Sequence, residues 1–146
     1  MSQDGVIIRK ARLDDLDAIK TIADANKEAI GFILRPVLAC NIEYGWVLAA
    51  EMAHEVVGFV NYRHRQDDQT TLYEICVAAE RRGNGVGRAL IEALIEECRG
   101  KNKERIRLKC PIDNEANIFY DKMDFTQVGE EKGRRRKLVV WEYCLD

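Results

Sequence analysis

Apolar residues recur at two different periods along the chain, and their order predicts the secondary structure. A β-branched run at 6–9 predicts a first strand. The next apolar residues, Leu13, Leu16, Ile19, Ile22 and Ala23, recur at helical spacing and predict a helix. Asp14 and Asp15 stand in its first turn, where carboxylates suit the positive end of a helix. A second helical stretch is predicted at 36–43.

The rest of the chain alternates strands with two further helices. The pattern predicts strands at 46–51, 56–63 and 70–77, a helix at 85–99, a strand at 105–110, a short helix at 114–123, and a closing hairpin of 125–129 with 135–143. Gly100 is expected to end the long helix in a left-handed conformation. Strand meanders interrupted by crossover helices imply a mixed sheet covered by helices.

Composition and charge narrow the class of protein. The chain has 146 residues, 47% hydrophobic and 33% charged, which fits one folded domain over residues 1–146 rather than a disordered or membrane protein. Its 23 Lys and Arg against 25 Asp and Glu give a net charge of -2, so we expect no nucleic-acid partner. No apolar run reaches the roughly 20 residues that a bilayer needs, and the amino end has no signal-like segment. We therefore expect a soluble, cytoplasmic protein with no membrane partner.

The cysteines offer no metal site. None of the five forms a Cys-x-x-Cys pair, and most lie in apolar runs. We therefore expect reduced thiols in the core and no bound metal.

A glycine-rich loop separates the fourth strand from the long helix. It contains Gly83, Gly85 and Gly87, flanked by Arg82 and Arg88. Glycines let backbone N–H groups approach an anion, and the helix that follows adds unsatisfied donors and a positive dipole end. The loop therefore predicts a pyrophosphate cradle; the alternative is a turn that binds nothing.

Spacing disfavours two common nucleotide sites. A P-loop needs Gly-Lys followed by Ser or Thr, whereas Gly87 is followed by Arg88 and Ala89. A dinucleotide fingerprint needs a third glycine where this chain has Arg88 or Leu90.

Two motifs resemble those of the GCN5-related N-acetyltransferases (GNAT). The loop carries Arg82-x-x-Gly85-x-Gly87, and 116–125 reads Ala-Asn-x-Phe-Tyr-x-Lys-x-x-Phe. The element order along almost the whole chain is also similar to that of the family. The resemblance implies an α/β fold of the α+β type, with a mixed, mostly antiparallel sheet of six to seven strands flanked by about four helices. It also implies acetyl transfer from acetyl-CoA to an amine, with relatives that frequently form dimers.

The resemblance assigns the cofactor contacts. The backbone of the strand before the loop would bind the pantetheine arm and acetyl carbonyl, the loop would hold the pyrophosphate, and Asn117 would touch the pantetheine or phosphate. The implied cofactor-binding residues are Ile75, Cys76, Val77, Arg82, Gly83, Asn84, Gly85, Val86, Gly87, Arg88, Asn117 and Tyr120.

Tyr120 and Glu74 are the predicted catalytic residues. Tyr120 aligns with the tyrosine that faces the cofactor sulfur in the family, where a phenol hydroxyl can protonate the leaving thiolate. Glu74 shares a strand face with Leu72 and Cys76, so burial should raise its pKa and suit it to accept a proton from the amine. His64 is the alternative base, and Glu74 could instead pair with a basic neighbour or reach solvent.

Two positions depart from the family pattern. Asn114 lies one residue closer to Tyr120 than the usual asparagine, and could be only a helix cap. Asp124 stands where the family has a glycine, at a predicted left-handed helix end.

The acceptor is not identified by the sequence. The resemblance implies that 26–44 sets specificity; its apolar, aromatic and charged candidates are Phe32, Ile33, Leu34, Arg35, Glu43 and Tyr44. We expect direct attack of the amine in a ternary complex, with an acyl intermediate on Cys76 or Cys110 as the lesser option. A catalytically silent acyl-CoA-binding module remains the alternative function; a nucleotide-binding module is disfavoured by the loop spacing.

Overall fold

Seven strands and five α-helices make up the described chain. The structure, a computed structural model, describes residues 5–145. The strands are β1 (Ile7–Lys10), β2 (Val47–Met52), β3 (Glu55–His64), β4 (Gln69–Val77), β5 (Arg105–Pro111), β6 (Thr126–Lys132) and β7 (Lys137–Cys144). The helices are α1 (Leu16–Ala25), α2 (Lys27–Ile30), α3 (Arg35–Glu43), α4 (Val86–Gly100) and α5 (Ala116–Lys122). Two 3-10 turns, Leu13–Asp15 and Ala79–Arg81, precede α1 and follow β4.

The strands form one mixed sheet, as predicted. Its order is β1-β2-β3-β4-β5-β7-β6. The pairs β1–β2, β2–β3, β5–β7 and β6–β7 are antiparallel, whereas β4 and β5 run parallel. A parallel pair needs a long crossover, and α4 lies in the chain between these two strands.

The predicted elements agree with the observed ones to within a few residues. The short helix α2 was not predicted, and Asp14 and Asp15 lie in a 3-10 turn rather than in the helix itself. The prediction for Gly100 is wrong: it is the last residue of α4, and the left-handed conformation is taken by Asn102, with φ 58°. Asparagine tolerates this conformation better than most residues because its short side chain can hydrogen-bond locally.

By their internal contacts the residues fall into two compact units. The first runs to Tyr62 and also takes in Glu74–Leu94; the second comprises Arg63–Tyr73 and the chain from Ile95 onward. The core of the first unit joins α1 and α3 to the β2, β3 and β4 residues of one sheet face. Its buried members are Ala11, Ile19, Ile22, Ala23, Leu38, Ile42, Val47, Ala49, Phe59 and Cys76.

A buried ion pair anchors the start of α1 in the first unit. Asp15 is 6% exposed, and its carboxylate accepts hydrogen bonds from Arg9 at 2.7 and 3.0 Å and from the Arg12 backbone N–H at 2.7 Å. Arg9 also donates to Glu51 at 3.0 Å. The Arg9 hydrogen bond holds the pKa of Asp15 below its usual range, since it stabilises the ionised carboxylate.

The second unit is built on the β5–β7–β6 ladder and on α5. Helix α5 ends in a Schellman motif, because Phe125 N–H donates to the Tyr120 carbonyl at 3.1 Å and Asp124 N–H to the Asp121 carbonyl at 3.2 Å. Asp124 has φ 69°, which confirms the left-handed end predicted there. The Tyr120 and Phe125 rings pack 5.7 Å apart across this turn.

Two further expectations concern the state of the cysteines and the absence of a membrane-spanning segment. Cys76, Cys98 and Cys110 are buried, Cys40 and Cys144 are exposed, and all five are free thiols. Within residues 5–145, no helix has the length and apolar character needed to cross a membrane.

Candidate active site

The glycine loop lies between the end of β4 and the first turn of α4. Gly83 and Gly85 have φ 81° and 80°, and a Cβ built on either would meet no atom within 4 Å. Both glycines therefore serve the backbone conformation and leave open space beside it, which a side chain would fill. Because α4 begins at Val86, its unsatisfied N–H groups directly follow this space. The loop fits a bound pyrophosphate.

Arg82 links the loop to the end of α1. Its guanidinium donates to the Val77 carbonyl at 3.3 Å and to the side-chain oxygen of Asn26, the residue that follows α1. Asn26 in turn donates to the Ile22 carbonyl at 2.8 Å. Arg82 is thus held beside the carboxyl end of β4, where the predicted cofactor strand Ile75–Val77 meets the loop.

Gly58 brings β3, β4 and α4 close together. A Cβ on this residue would lie 2.8 Å from the Cys76 carbonyl oxygen and 3.2 Å from Val86 Cγ1. Sequence reasoning missed Gly58, although a glycine inside a strand often marks such a close approach.

Glu74 faces the α1–α3 side of the sheet. Glu74 lies two residues before Cys76 on β4, so the two side chains share a strand face, and Cys76 belongs to the core on that side. Glu74 Oε1 accepts a hydrogen bond from Asn61 Nδ2 at 2.9 Å. Burial raises the pKa of Glu74, as predicted, and the Asn61 hydrogen bond works against that rise. Glu74 therefore pairs with an amide rather than with a basic neighbour.

Asn61 was not identified from the sequence. It is 4% exposed and lies on β3 between apolar neighbours, where a polar residue needs a partner. Its Oδ1 accepts from Asn41 Nδ2 on α3 at 3.2 Å. An asparagine inside an otherwise apolar strand was the available signal.

His64 lies in the second unit with both ring nitrogens engaged. Nδ1 is 2.7 Å from Thr70 Oγ1 and Nε2 is 3.0 Å from Glu97 Oε2. Thr70 is fully buried and also accepts a hydrogen bond from Cys98 Sγ at 3.2 Å. These hydrogen bonds connect β3, β4 and α4, so His64 has a structural role.

Tyr120 and Asn117 lie on α5, in the second unit. Tyr120 is 5% exposed and packs edge-on to Phe119, with ring centroids 5.6 Å apart. The Asn117 amide donates to the Pro111 and Asn114 carbonyls at 2.9 Å each, and its oxygen accepts from Trp141 Nε1 at 2.8 Å. Asn117 therefore fixes the start of α5 against β7, and its contact with a cofactor stays a prediction.

Asn114 hydrogen-bonds to the start of α5 from the residue before the N-cap, Glu115. Its side-chain oxygen accepts a hydrogen bond from the Ala116 N–H at 2.8 Å, at the first residue of α5. The contact satisfies an N–H group at the helix start, as a cap does, and a contact of Asn114 with a cofactor stays a prediction.

The predicted acceptor segment exposes its apolar side chains. Phe32, Leu34 and Tyr44 are 63%, 57% and 65% exposed. Lys20 lies 3.9 Å from the centre of the Phe32 ring, a cation–π contact that holds this ring beside α1.

Burial makes the two cysteines that were candidates for an acyl intermediate poor nucleophiles. It raises the pKa of Cys76 to about 12, with a further contribution from the Glu74 charge, and the pKa of Cys110 to about 11. Both thiols are therefore protonated at neutral pH, and a protonated thiol is not the reactive form.

Comparisons with known proteins point to the same family as the two sequence motifs. The model of the Acetyltransferase (GNAT) family matches residues 34–125. A 5-NmdU N-acetyltransferase from Pseudomonas phage PaMx11 is 33% identical over 132 residues, which cover 88% of this chain and 92% of that protein.

Solved structures share the fold. Ard1 from Thermoplasma volcanium has a TM-score of 0.86 at 20% identity, covering 96% of this chain and 97% of its own. The N-acetylglutamate synthase from Neisseria gonorrhoeae, complexed with coenzyme A and N-acetyl-glutamate, has a TM-score of 0.85 at 16% identity and covers 97% of this chain and 35% of its own.

Proposed function

Because the chain belongs to the GNAT family and is an N-acetyltransferase, we propose that it transfers an acetyl group from acetyl-CoA to an amine by direct attack in a ternary complex. The observation that carries the choice of acetyl donor is the loop before α4, where two left-handed glycines leave open space beside unsatisfied N–H groups. The coenzyme A in the Neisseria gonorrhoeae structure supports the same choice.

The residues proposed to hold acetyl-CoA are those of β4 and the loop. The backbone of Ile75, Cys76 and Val77 would bind the pantetheine arm, and the N–H groups from Gly83 to Arg88 would bind the pyrophosphate, with Arg82 beside them. When bound, acetyl-CoA supplies an acetyl group activated as a thioester.

Glu74 is proposed as the base. An amine attacks only when neutral, so a group must take its proton, and a partly buried carboxylate with a raised pKa is suited to this task. Glu74 lies on the α1–α3 side of β4, the side from which the acceptor segment at 26–44 extends. His64 is disfavoured because both of its nitrogens already have partners.

Tyr120 is proposed as the acid that protonates the departing sulfur. The support is its place in the second family motif, since a phenol hydroxyl within hydrogen-bond reach can protonate a leaving thiolate.

Direct attack is favoured over an acyl-enzyme because the candidate cysteines are protonated. Cys76 and Cys110 would need to lose a proton against pKa values of about 12 and about 11 before they could attack a thioester. Full turnover by Cys76→Ala is the expected result.

The proposed acceptor is 5-NmdU, the compound in the name of the phage relative. The support is the identity of 33% over most of both chains, together with exposed aromatic and apolar side chains at Phe32, Leu34 and Tyr44 that could pack on an acceptor's apolar body.

Two measurements test these proposals. Thermal unfolding is followed with acetyl-CoA, CoA, ATP or NAD; a ligand at 100 times its Kd adds about 2.7 kcal/mol, on the order of 5–10 °C in Tm here. A shift with both CoA species and none with ATP or NAD is expected. No shift with millimolar acetyl-CoA would refute the cofactor assignment.

The second measurement is release of free CoA thiol with a panel of amines. The panel contains 5-NmdU, glutamate and a peptide with a free amino terminus. Release with 5-NmdU supports the acceptor proposal, and release with another amine alone refutes it. Binding of acetyl-CoA with no release for any amine would favour a catalytically silent acyl-CoA-binding module.

A further inference from the structure

Three side chains from three elements form a hydrogen-bonded chain that ends on Glu74. Asn41 Nδ2 on α3 donates to Asn61 Oδ1 at 3.2 Å, and Asn61 Nδ2 on β3 donates to Glu74 Oε1 on β4 at 2.9 Å. Asn61 is buried, whereas Asn41 and Glu74 are partly buried. The hydrogen-bonded chain therefore runs from α3, a helix within the predicted acceptor segment at 26–44, to the proposed base.

The Glu74 carboxylate fixes the orientation of the Asn61 amide. An ionised carboxylate only accepts hydrogen bonds, so the Asn61 NH₂ group faces Glu74 and the Asn61 oxygen faces Asn41, which donates to it. The reverse orientation would place a carbonyl oxygen against a carboxylate and two N–H groups against each other. In this arrangement Asn61 is a donor to Glu74, Asn41 satisfies the Asn61 oxygen, and a donor stabilises the ionised form of a carboxylate.

The charged side chains on the elements around Glu74 pair with other residues or are exposed to solvent. Burial and the Asn61 hydrogen bond are the two influences that act on the pKa of Glu74. Cys76, on the same strand face, stays protonated at a pKa of about 12, with Arg82 acting on that thiol. The remaining charged groups on the packed elements are paired or exposed: Arg9 with Asp15 and Glu51, Lys20 with Asp24, Arg35 with Asp17, His64 with Glu97, and the exposed Glu43, Glu55 and Arg63.

We propose that Asn61 is a positioning residue for the catalytic base, and that Asn41 supports its orientation by donating to its oxygen. Asn61 occupies one oxygen of Glu74, favours the ionised carboxylate, and leaves the other oxygen to take the proton of the amine. Asn41 ties this arrangement to α3, which lies within the acceptor segment at 26–44. The inference rests on the proposed role of Glu74 as the base.

The first test needs no acceptor. Glutamate carboxyl carbons are labelled with ¹³C in the full chain, Glu74 is assigned by its loss in Glu74→Gln, and its titration is followed by NMR. Loss of the donor in Asn61→Ala should raise the midpoint, because only burial then acts on Glu74. Asn61→Asp, which keeps the shape but replaces the donor with an acceptor, should raise it further. Asn41→Ala should raise it less than Asn61→Ala.

Val60→Ala is the matched control. Val60 is fully buried, is adjacent to Asn61 and points to the opposite face of β3. Its truncation should lower Tm without moving the Glu74 midpoint. An unchanged midpoint in both Asn61 variants, or an equal rise in Val60→Ala, would overturn the proposal. An unchanged midpoint in Asn41→Ala alone would remove Asn41 from it.

Kinetics separate this inference from the proposed function. With an amine that is acetylated, Asn61→Ala should lower kcat/KM at neutral pH roughly 10- to 100-fold, recover at higher pH, and leave acetyl-CoA binding unchanged. In the Glu74→Gln background the same substitution should have no further effect, since its action passes through Glu74. Wild-type turnover by Glu74→Gln would refute the base assignment itself. If Glu74→Gln lowers turnover and the Asn61→Ala loss adds to it in the double variant, only the role of Asn61 is refuted.

Discussion

The Cα of Gly58 lies so close to the backbone of Cys76 that a Cβ on Gly58 would stand 2.8 Å from the Cys76 carbonyl oxygen. The same Cβ would lie 3.2 Å from Val86, the first residue of α4. The absent side chain thus lets the start of the helix pack closely on two strands. It also sets the backbone of β4 at the residue proposed to bind the pantetheine arm.

Gly58→Ala should therefore destabilise the protein and weaken acetyl-CoA binding together. The carbonyl cannot swing aside as a flexible side chain could, so β3 and β4 must shift, at roughly 1–3 kcal/mol. Unfolding by urea and the thermal shift with acetyl-CoA measure the two effects. Gly100→Ala is the control, because a Cβ at that helical position meets no atom within 4 Å and alanine is the better helix former. Equal stability of Gly58→Ala and wild type would contradict the packing argument.

Because of Glu74, activity should rise and stability should fall as the pH increases. Because burial raises its pKa in the folded state, kcat/KM should increase with pH through a midpoint above that of an ordinary glutamate. Stability contributed by this group is present below the unfolded pKa and is lost as pH rises through the folded one.

Glu74→Gln should consequently be at least as stable as wild type at pH 8 while losing roughly 10²- to 10⁴-fold in kcat/KM. Thermal unfolding at pH 5 and pH 8, with turnover at the same values, checks both. A variant that is less stable at pH 8 than at pH 5, relative to wild type, would show that the charged form is not the disfavoured one.

Asp124→Gly should stabilise the protein. Asp124 closes the Schellman motif of α5 at φ 69°, where a residue with a Cβ is strained and glycine is not. The expected gain is about 0.5–1 kcal/mol, measured by chemical unfolding. In the matched variant Asp121→Gly, glycine enters the helical part of α5 and should cost about 1 kcal/mol. A loss in both variants would mean that Asp124 makes a contribution beyond its conformation.

Asp15 should make stability depend on acidity. Its pKa is lowered by Arg9, so the stabilisation is present above the unfolded pKa of about 3.9 and is lost as pH falls through the lower folded value. Asp15→Asn should lower stability at pH 7 by about 3 kcal/mol, because Arg9 loses its buried partner, and the difference should narrow below about pH 4. Asp17→Asn is the control: its carboxylate is 88% exposed and pairs with Arg35 on the surface, so little change is expected. A constant difference from pH 7 to pH 2 would contradict the ionic origin.

Local signals in the sequence were enough to predict the order of elements and the glycine loop. Strand and helix periods and the turn at Gly83 and Gly85 depend on neighbours within a few positions, so they are visible along the chain. The left-handed end at Asp124 was expected from the family resemblance, because Asp124 stands where the family has a glycine. The raised pKa of Glu74 was predictable for the same reason, since alternation alone places it between buried Leu72 and Cys76. The left-handed residue after α4 was misplaced: the helix continues through Gly100, and Asn102 takes the left-handed conformation.

Tertiary structure alone decided which distant residues meet. Asn41, Asn61 and Glu74 are brought together by the positions of α3, β3 and β4 in the first unit, and the sequence carries no pairing signal across those separations. The same holds for His64, the alternative base, which lies between Thr70 and Glu97. Hydrophobic periods determine which face of an element is buried, but burial is not directional. The hydrogen bonds that orient a base depend on register and on helix position, and these are fixed only when the core has packed.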